Sequence, residues 1–74
     1  MLASFPIRLS TLRISAGMSQ RELAYCINTN RWTITSWENG QSSPTCEKLA
    51  VLAAYFNVSA DYLLGLSSER NHIF

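Results

Sequence analysis

The sequence predicts an all-α domain of five short helices. Three observations carry that prediction. Apolar residues recur at helical spacing in each segment, helix-starting and helix-ending residues punctuate the chain at short intervals, and no run alternates apolar with polar residues as a strand would. At 74 residues the chain is one small domain, with residues 1–66 as the folded unit and 67–74 as a C-terminal tail. A domain of this size buries only about 60% of its unfolded surface, so each cap and each core contact matters to its stability.

The first helix is expected to open at Pro6, whose missing N–H costs nothing in a first turn. In "PIRLSTLRISA", Leu9, Leu12 and Ala16 form the inner stripe, and Gly17 closes the segment. The second helix is "SQRELAYCI". Ser19 is its N-cap, Glu22 completes a capping box, and Leu23, Ala24 and Ile27 point inward. The turn "NTN" follows, in which Asn28 takes the left-handed conformation with little penalty. Asn30 caps a third helix over about residues 31–38, ended by Gly40, with Ile34 and Trp37 as its buried pair. "SSPT" breaks the chain and offers Ser43 or Thr45 as the next cap. The fourth helix, "CEKLAVLAAYF", turns Leu49, Leu52, Ala53 and Phe56 to one side. Ser59 caps the last helix, "ADYLLG", which has Asp61 in its first turn, where the helix dipole favours a negative charge, and stops at Gly65.

Composition narrows the function. Six Lys/Arg against five Asp/Glu give a net charge of +1, so nucleic-acid binding would depend on where charges sit and not on their total. Cys26 and Cys46 form no CxxC pair, and His72 is the single histidine, which argues against a zinc site or any other metal. Both thiols read as reduced: Cys26 as a small half-buried hydrophobe and Cys46 as a surface thiol. Gly17, Gly40 and Gly65 each sit at a helix end, so no glycine-rich phosphate loop exists and no cofactor is expected. Glu22 and Glu38 have capping and pairing duties, which leaves no carboxylate dyad; the chain does not read as an enzyme. "MLASFPIRLS" lacks the apolar core of a signal peptide, and no run approaches the ~20 apolar residues of a membrane span, so a cytoplasmic protein is expected. Tyr25, Tyr55 and Tyr62 read as rim or core residues.

The third helix carries the chemistry. At about 100° per residue, Arg31, Thr35, Trp32 and Ser36 share one arc, opposite Ile34 and Trp37, with Glu38 at the margin. A guanidinium, hydroxyls and an aromatic ring suit base edges and phosphates, and a helix fits the major groove of B-DNA. An ordinary solvated face is the plainer reading. An exposed indole, which usually marks a contact site, weighs against it.

Taken in order, "SQRELA", "TITSWENG", "SPT" and "FNVSADYLLG" resemble the landmarks of the XRE family, the lambda-repressor-like or Cro/cI-like helix-turn-helix regulators. The resemblance runs from about residue 8 to 65 and implies a five-helix lambda-repressor-like domain with its helix-turn-helix at about residues 20–39. It implies a DNA-contact set of Gln20, Arg21, Asn30, Arg31, Trp32, Thr33, Thr35, Ser36, Asn39, Gln41 and Ser43. Within that set Gln20 matches a phosphate-binding glutamine. Arg31, Trp32 and Ser36 match base-reading positions, and Thr33 and Thr35 match phosphate or flanking contacts. Asn39 matches a backbone contact, and Gln41 and Ser43 lie in the loop that follows the same strand. Arg13 and Glu38 match a structural salt bridge between the first and third helices. Two positions depart from the pattern: Asn28 stands where glycine is usual, and Trp32 where polar side chains dominate.

The function implied is a sequence-specific regulator, a bacterial or phage repressor, bound to a double-stranded operator as a homodimer. Tyr62, Leu64, Leu66, Ile73 and Phe74 supply apolar surface for such an interface, although a frayed terminus explains the tail equally well. The rival is an antitoxin or protein-interaction module on the same fold, whose helix-three face meets a protein.

Overall fold

Left-handed residues set the boundaries of this fold. The computed structural model describes residues 4–68, which form α1 (Ser4–Ser15), α2 (Gln20–Cys26), α3 (Arg31–Glu38), α4 (Cys46–Phe56) and α5 (Ala60–Leu64). After each helix one residue has positive φ: Gly17, Asn28, Gly40, Asn57 and Gly65. In each case the next residue's amide bonds a carbonyl five positions back: Met18 to Arg13, Thr29 to Ala24, Gln41 to Ser36, Val58 to Ala53 and Leu66 to Asp61, all at 2.8–3.1 Å. This pattern satisfies carbonyls that a helix end would otherwise orphan, and it reverses the chain within two residues.

The starts are equally regular. Ser19, Asn30, Thr45 and Ser59 each accept a hydrogen bond from the backbone amide three residues on. Ser19 and Glu22 form the full capping box, the Ser19 amide donating to Glu22 Oε1 at 2.7 Å. Each such cap is worth about 1 kcal/mol. The break "SSPT" thus resolves in favour of Thr45, leaving Ser43 exposed.

Each helix contributes one fully buried aliphatic side chain: Leu9, Leu23, Ile34, Leu52 and Leu63. Around them pack Phe5, Leu12, Ala24, Ile27, Trp37, Ala53 and Val58, with Met18, Leu49, Phe56 and Tyr62 partly covered. Phe5 meets Trp37 edge-on, with ring centroids 6.4 Å apart. The first and last described helices close against each other. Arg8 donates to the carbonyls of Tyr62 (2.9 Å) and Ser67 (2.6 Å), with its guanidinium 4.2 Å from the Tyr62 ring centroid. A Cβ on Gly65 would come within 2.7 Å of the Ser4 Cβ, so only glycine lets α5 end against α1. Lys48 binds the end of α2, donating to Ile27 O (2.9 Å) and Asn28 O (3.1 Å).

Four expectations change. The first helix includes Ser4 and Phe5, and Pro6 sits third in the first turn, where no intrahelical partner for its N–H is needed. Ala16 lies past the last turn and is exposed, while Phe5 takes the inner position one turn before Leu9. Tyr25 is 87% exposed and Cys26 is exposed also, since the inner arc of α2 is filled by Leu23, Ala24 and Ile27. Tyr55 is exposed as well, and its hydroxyl reaches Cys26 Sγ and Met18 Sδ, both at 3.5 Å.

The turn geometry makes a test. Asn28 has φ 58°, so Asn28→Gly is expected to leave the urea unfolding midpoint unchanged or slightly raised. Asn28→Val is expected to cost about 1–2 kcal/mol. Equal midpoints for the two variants would show that the left-handed turn does not govern stability.

Candidate nucleic-acid interface

The inner stripes of α2 and α3 merge in the core through Leu23, Ala24, Ile27, Ile34 and Trp37. That packing leaves the first turns of the two helices side by side. A shallow groove of about 400 Å³ opens there, lined by Arg13, Ser19, Gln20, Arg21 and Arg31. Three of the five described cations therefore gather at one place. Arg8 and Lys48, the other two, are committed to backbone carbonyls elsewhere. Arg21 and Arg31 are exposed and make no ion pair among the described residues. Arg13 is paired with Glu38, so with a net charge of only +1 it is Arg21 and Arg31 that give the face its sign.

Beneath the groove runs a chain of hydrogen bonds. Arg13 grips Glu38 with two donors, Nε to Oε2 at 2.7 Å and Nη2 to Oε1 at 3.0 Å, and its Nη1 donates to Met18 O at 2.8 Å. The side chains of Arg13 and Glu38 keep only 14% and 6% of their exposure, so the pair is largely desolvated. The bond to Glu38 raises the Arg13 pKa further above its usual value, with burial opposing it and the Glu38 charge adding to it. Gln20 Nε2 also donates to Glu38 Oε1 (3.1 Å), and Thr35 Oγ1 donates to Gln20 Oε1 (2.7 Å). One carboxylate thus orders α1, α2 and α3 together.

The remaining residues of the face fall into two groups. Arg31 and Trp32 are exposed, Trp32 at 76%, and the guanidinium carbon lies 5.8 Å from the indole centroid. The hydroxyls are engaged by other side chains of the protein. Thr33 Oγ1 donates to Asn30 Oδ1 (3.0 Å), which also caps α3 through the Thr33 amide (2.9 Å), and Ser36 pairs with Ser42 (2.7 Å). Asn39 follows α3 directly and is exposed, as are Gln41 and Ser43 in the next loop. Ser42 and the Gln20–Glu38 bond were not anticipated from sequence. The one available signal was a row of hydroxyl and amide side chains with no stated partner. At the other end of the molecule Tyr62 and Leu64 are half-buried and Leu66 is 70% exposed; Ile73 and Phe74 lie outside the described residues, as does His72. Among the described residues no three metal-ligating side chains gather, and no helix is long and apolar enough to cross a membrane.

Capped short helices joined by a left-handed turn, with a cationic groove at their first turns, define a helix-turn-helix domain. The chain matches the family described as "Helix-turn-helix" over residues 9–63, and it belongs to this XRE-type helix-turn-helix family. It is 33% identical over 60 residues to the HTH-type transcriptional activator BcrR of Enterococcus faecalis, a match covering 81% of this chain and 29% of that protein. It is 36% identical over 58 residues to the HTH-type transcriptional regulator ImmR of Bacillus subtilis (strain 168), covering 78% and 46%. To the uncharacterized HTH-type transcriptional regulator YobD of the same organism it is 32% identical over 62 residues, covering 84% and 55%. The matched region thus spans about half or less of the length of these relatives.

The half-buried pair can be tested by stability. Arg13→Met alone is expected to cost about 3–5 kcal/mol in urea unfolding, because the Glu38 charge is left with only the Gln20 amide to answer it. Arg13→Met with Glu38→Leu is expected to recover part of that loss, since no charge remains to be buried. A double variant that loses the sum of both single losses would contradict this account.

Proposed function

We propose that this chain is a sequence-specific, double-stranded-DNA-binding domain of a transcriptional regulator, with residues 1–66 as the binding unit. The observation that carries this reading is the pair of exposed arginines, Arg21 and Arg31, set together beside an exposed Trp32 at the first turns of α2 and α3. In this reading α3 enters the major groove and α2 lies across it, while Gln20, Arg21 and Asn39 set the register on phosphates. Family membership and the names of the relatives support it. Regulation is by repression, an occupied operator excluding polymerase. Two subunits bind together, with Tyr62, Leu64, Leu66, Ile73 and Phe74 at the interface and recognition helices ~34–36 Å apart. The exposure of Leu66 supports that interface.

A second reading places a protein on the α3 face, as in an antitoxin, and the 76% exposure of Trp32 favours it. Salt separates the two. DNA binding through several phosphates weakens steeply with ionic strength, whereas an indole-centred protein contact does not.

The experiment is selection from random duplex DNA at physiological salt, with the bound fraction sequenced. A palindrome is the expected product; a single half-site would remove the dimer, and no binding even at low salt would remove DNA. Once a site is in hand, Arg21→Ala is expected to weaken all sequences alike and to lower the slope of log affinity against log salt by about 1. Loss confined to one sequence would make Arg21 a base contact instead.

A further inference from the structure

The hydrogen bonds within the face restrict what it can read, granted that the face binds DNA as proposed above. We infer that, on α3, base selection rests chiefly on Arg31 and Trp32, directed at a guanine and a neighbouring thymine methyl, and that Thr35 is a positioning residue for Gln20.

A phosphate oxygen only accepts, so a side chain that meets it must bring a free donor. The hydroxyl of Thr35 has one hydrogen, and Gln20 Oε1 holds it at 2.7 Å. The hydroxyl of Thr33 has one, and Asn30 Oδ1 holds it at 3.0 Å. Neither threonine hydroxyl has a donor left for phosphate, which leaves only the flanking contact among the roles that the family resemblance gives them. Ser36 and Ser42 share one hydrogen between them and keep only one for solvent or DNA. Thr35 and Ser36 are also half-buried, set back from the exposed Arg31 and Trp32.

Gln20 is correspondingly fixed. A carboxylate can face only the NH2 end of a carboxamide, so Glu38 sets which way the amide points, and the Thr35 hydroxyl holds the oxygen end. One Nε2 hydrogen remains, suited to a phosphate oxygen. Holding that amide in place before DNA arrives lowers the entropy to be lost on binding. This is what Thr35 contributes.

What projects from the outer arc of α3 beyond these bonds is one guanidinium and one indole. Arginine offers donors in the fork that matches guanine O6 and N7, and a ring edge in the major groove finds its apolar counterpart in the thymine methyl. The guanidinium carbon sits 5.8 Å from the indole centroid, less than two base-pair rises of about 3.4 Å each. The two targets therefore lie within two base pairs of one another.

The test uses the full chain and its selected duplex, with single-atom changes in the DNA. Replacing one thymine with deoxyuridine removes the methyl and is expected to weaken wild type about fourfold, the value of one buried carbon, at a single position per half-site. The same replacement should leave Trp32→Ala unaffected. Replacing the nearby guanine with 7-deazaguanine is expected to cost wild type about tenfold and to leave Arg31→Ala unaffected. Thr35→Val is expected to weaken every sequence equally without changing their ranking, and Thr35→Ser, which keeps the hydroxyl, to restore binding. A deoxyuridine series with no sensitive position, or a Thr35→Val variant with altered base preference, would overturn the inference while DNA binding stood. Wild type that binds no duplex at low salt would overturn both readings together.

Discussion

The carboxylate of Glu38 is the point on which this structure turns. It sits at the end of α3 with 6% of its side-chain surface exposed, and it holds a guanidinium from α1 and a carboxamide from α2. Such a group is stable only if its lone pairs are answered, because an unpaired charge at that depth costs several kcal/mol. Arg13 and Gln20 answer them. In doing so they fix the angle at which α2 and α3 meet, so the first turns of those helices share a single cationic groove. The core alone would not specify this. Aliphatic contacts are non-directional, whereas a bidentate guanidinium–carboxylate pair has one geometry.

The second constraint is chain reversal in very little length. Five helices fit into residues 4–68 because each ends on a left-handed residue and four start on a side-chain cap. Three of those reversals use glycine and two use asparagine, the pair of residue types for which that conformation is least costly. Helices of 5 to 12 residues are marginal by themselves in water, so the caps and the single buried aliphatic from each helix act together.

Much of this was legible in the sequence. Caps and stops are local signals: Ser19 and Glu22, Asn30, Ser59, Gly40 and Gly65 each act on backbone within a few residues. The inward faces of α2 and α3 followed from spacing, since Leu23, Ala24, Ile27, Ile34 and Trp37 recur with the helical period. What spacing could not supply was the partner of a polar side chain across helices. Thr35 looks like a surface hydroxyl on a helical wheel, and only the placement of α2 beside it shows that Gln20 takes its hydrogen. Ser36 and Ser42 are likewise joined by the path of a loop. Phe5 was missed because Pro6 reads as a helix start, although proline is tolerated throughout a first turn. The exposure of Tyr25 escaped too, for an aromatic residue's character does not say which side of a short helix it occupies.

Arg31 and Trp32, with Arg21 beside them, differ from the other residues around the groove in one respect. They lie outside the core and outside the Arg13–Glu38–Gln20–Thr35 chain, and hold nothing else in place. Substitutions at these positions are therefore free of the fold's requirements, while changes to the residues beneath them are not. A lineage carrying this domain can exchange its recognition chemistry one residue at a time and keep the same scaffold throughout. Divergence would then concentrate at these exposed positions, with the half-buried carboxylate and its partners held constant.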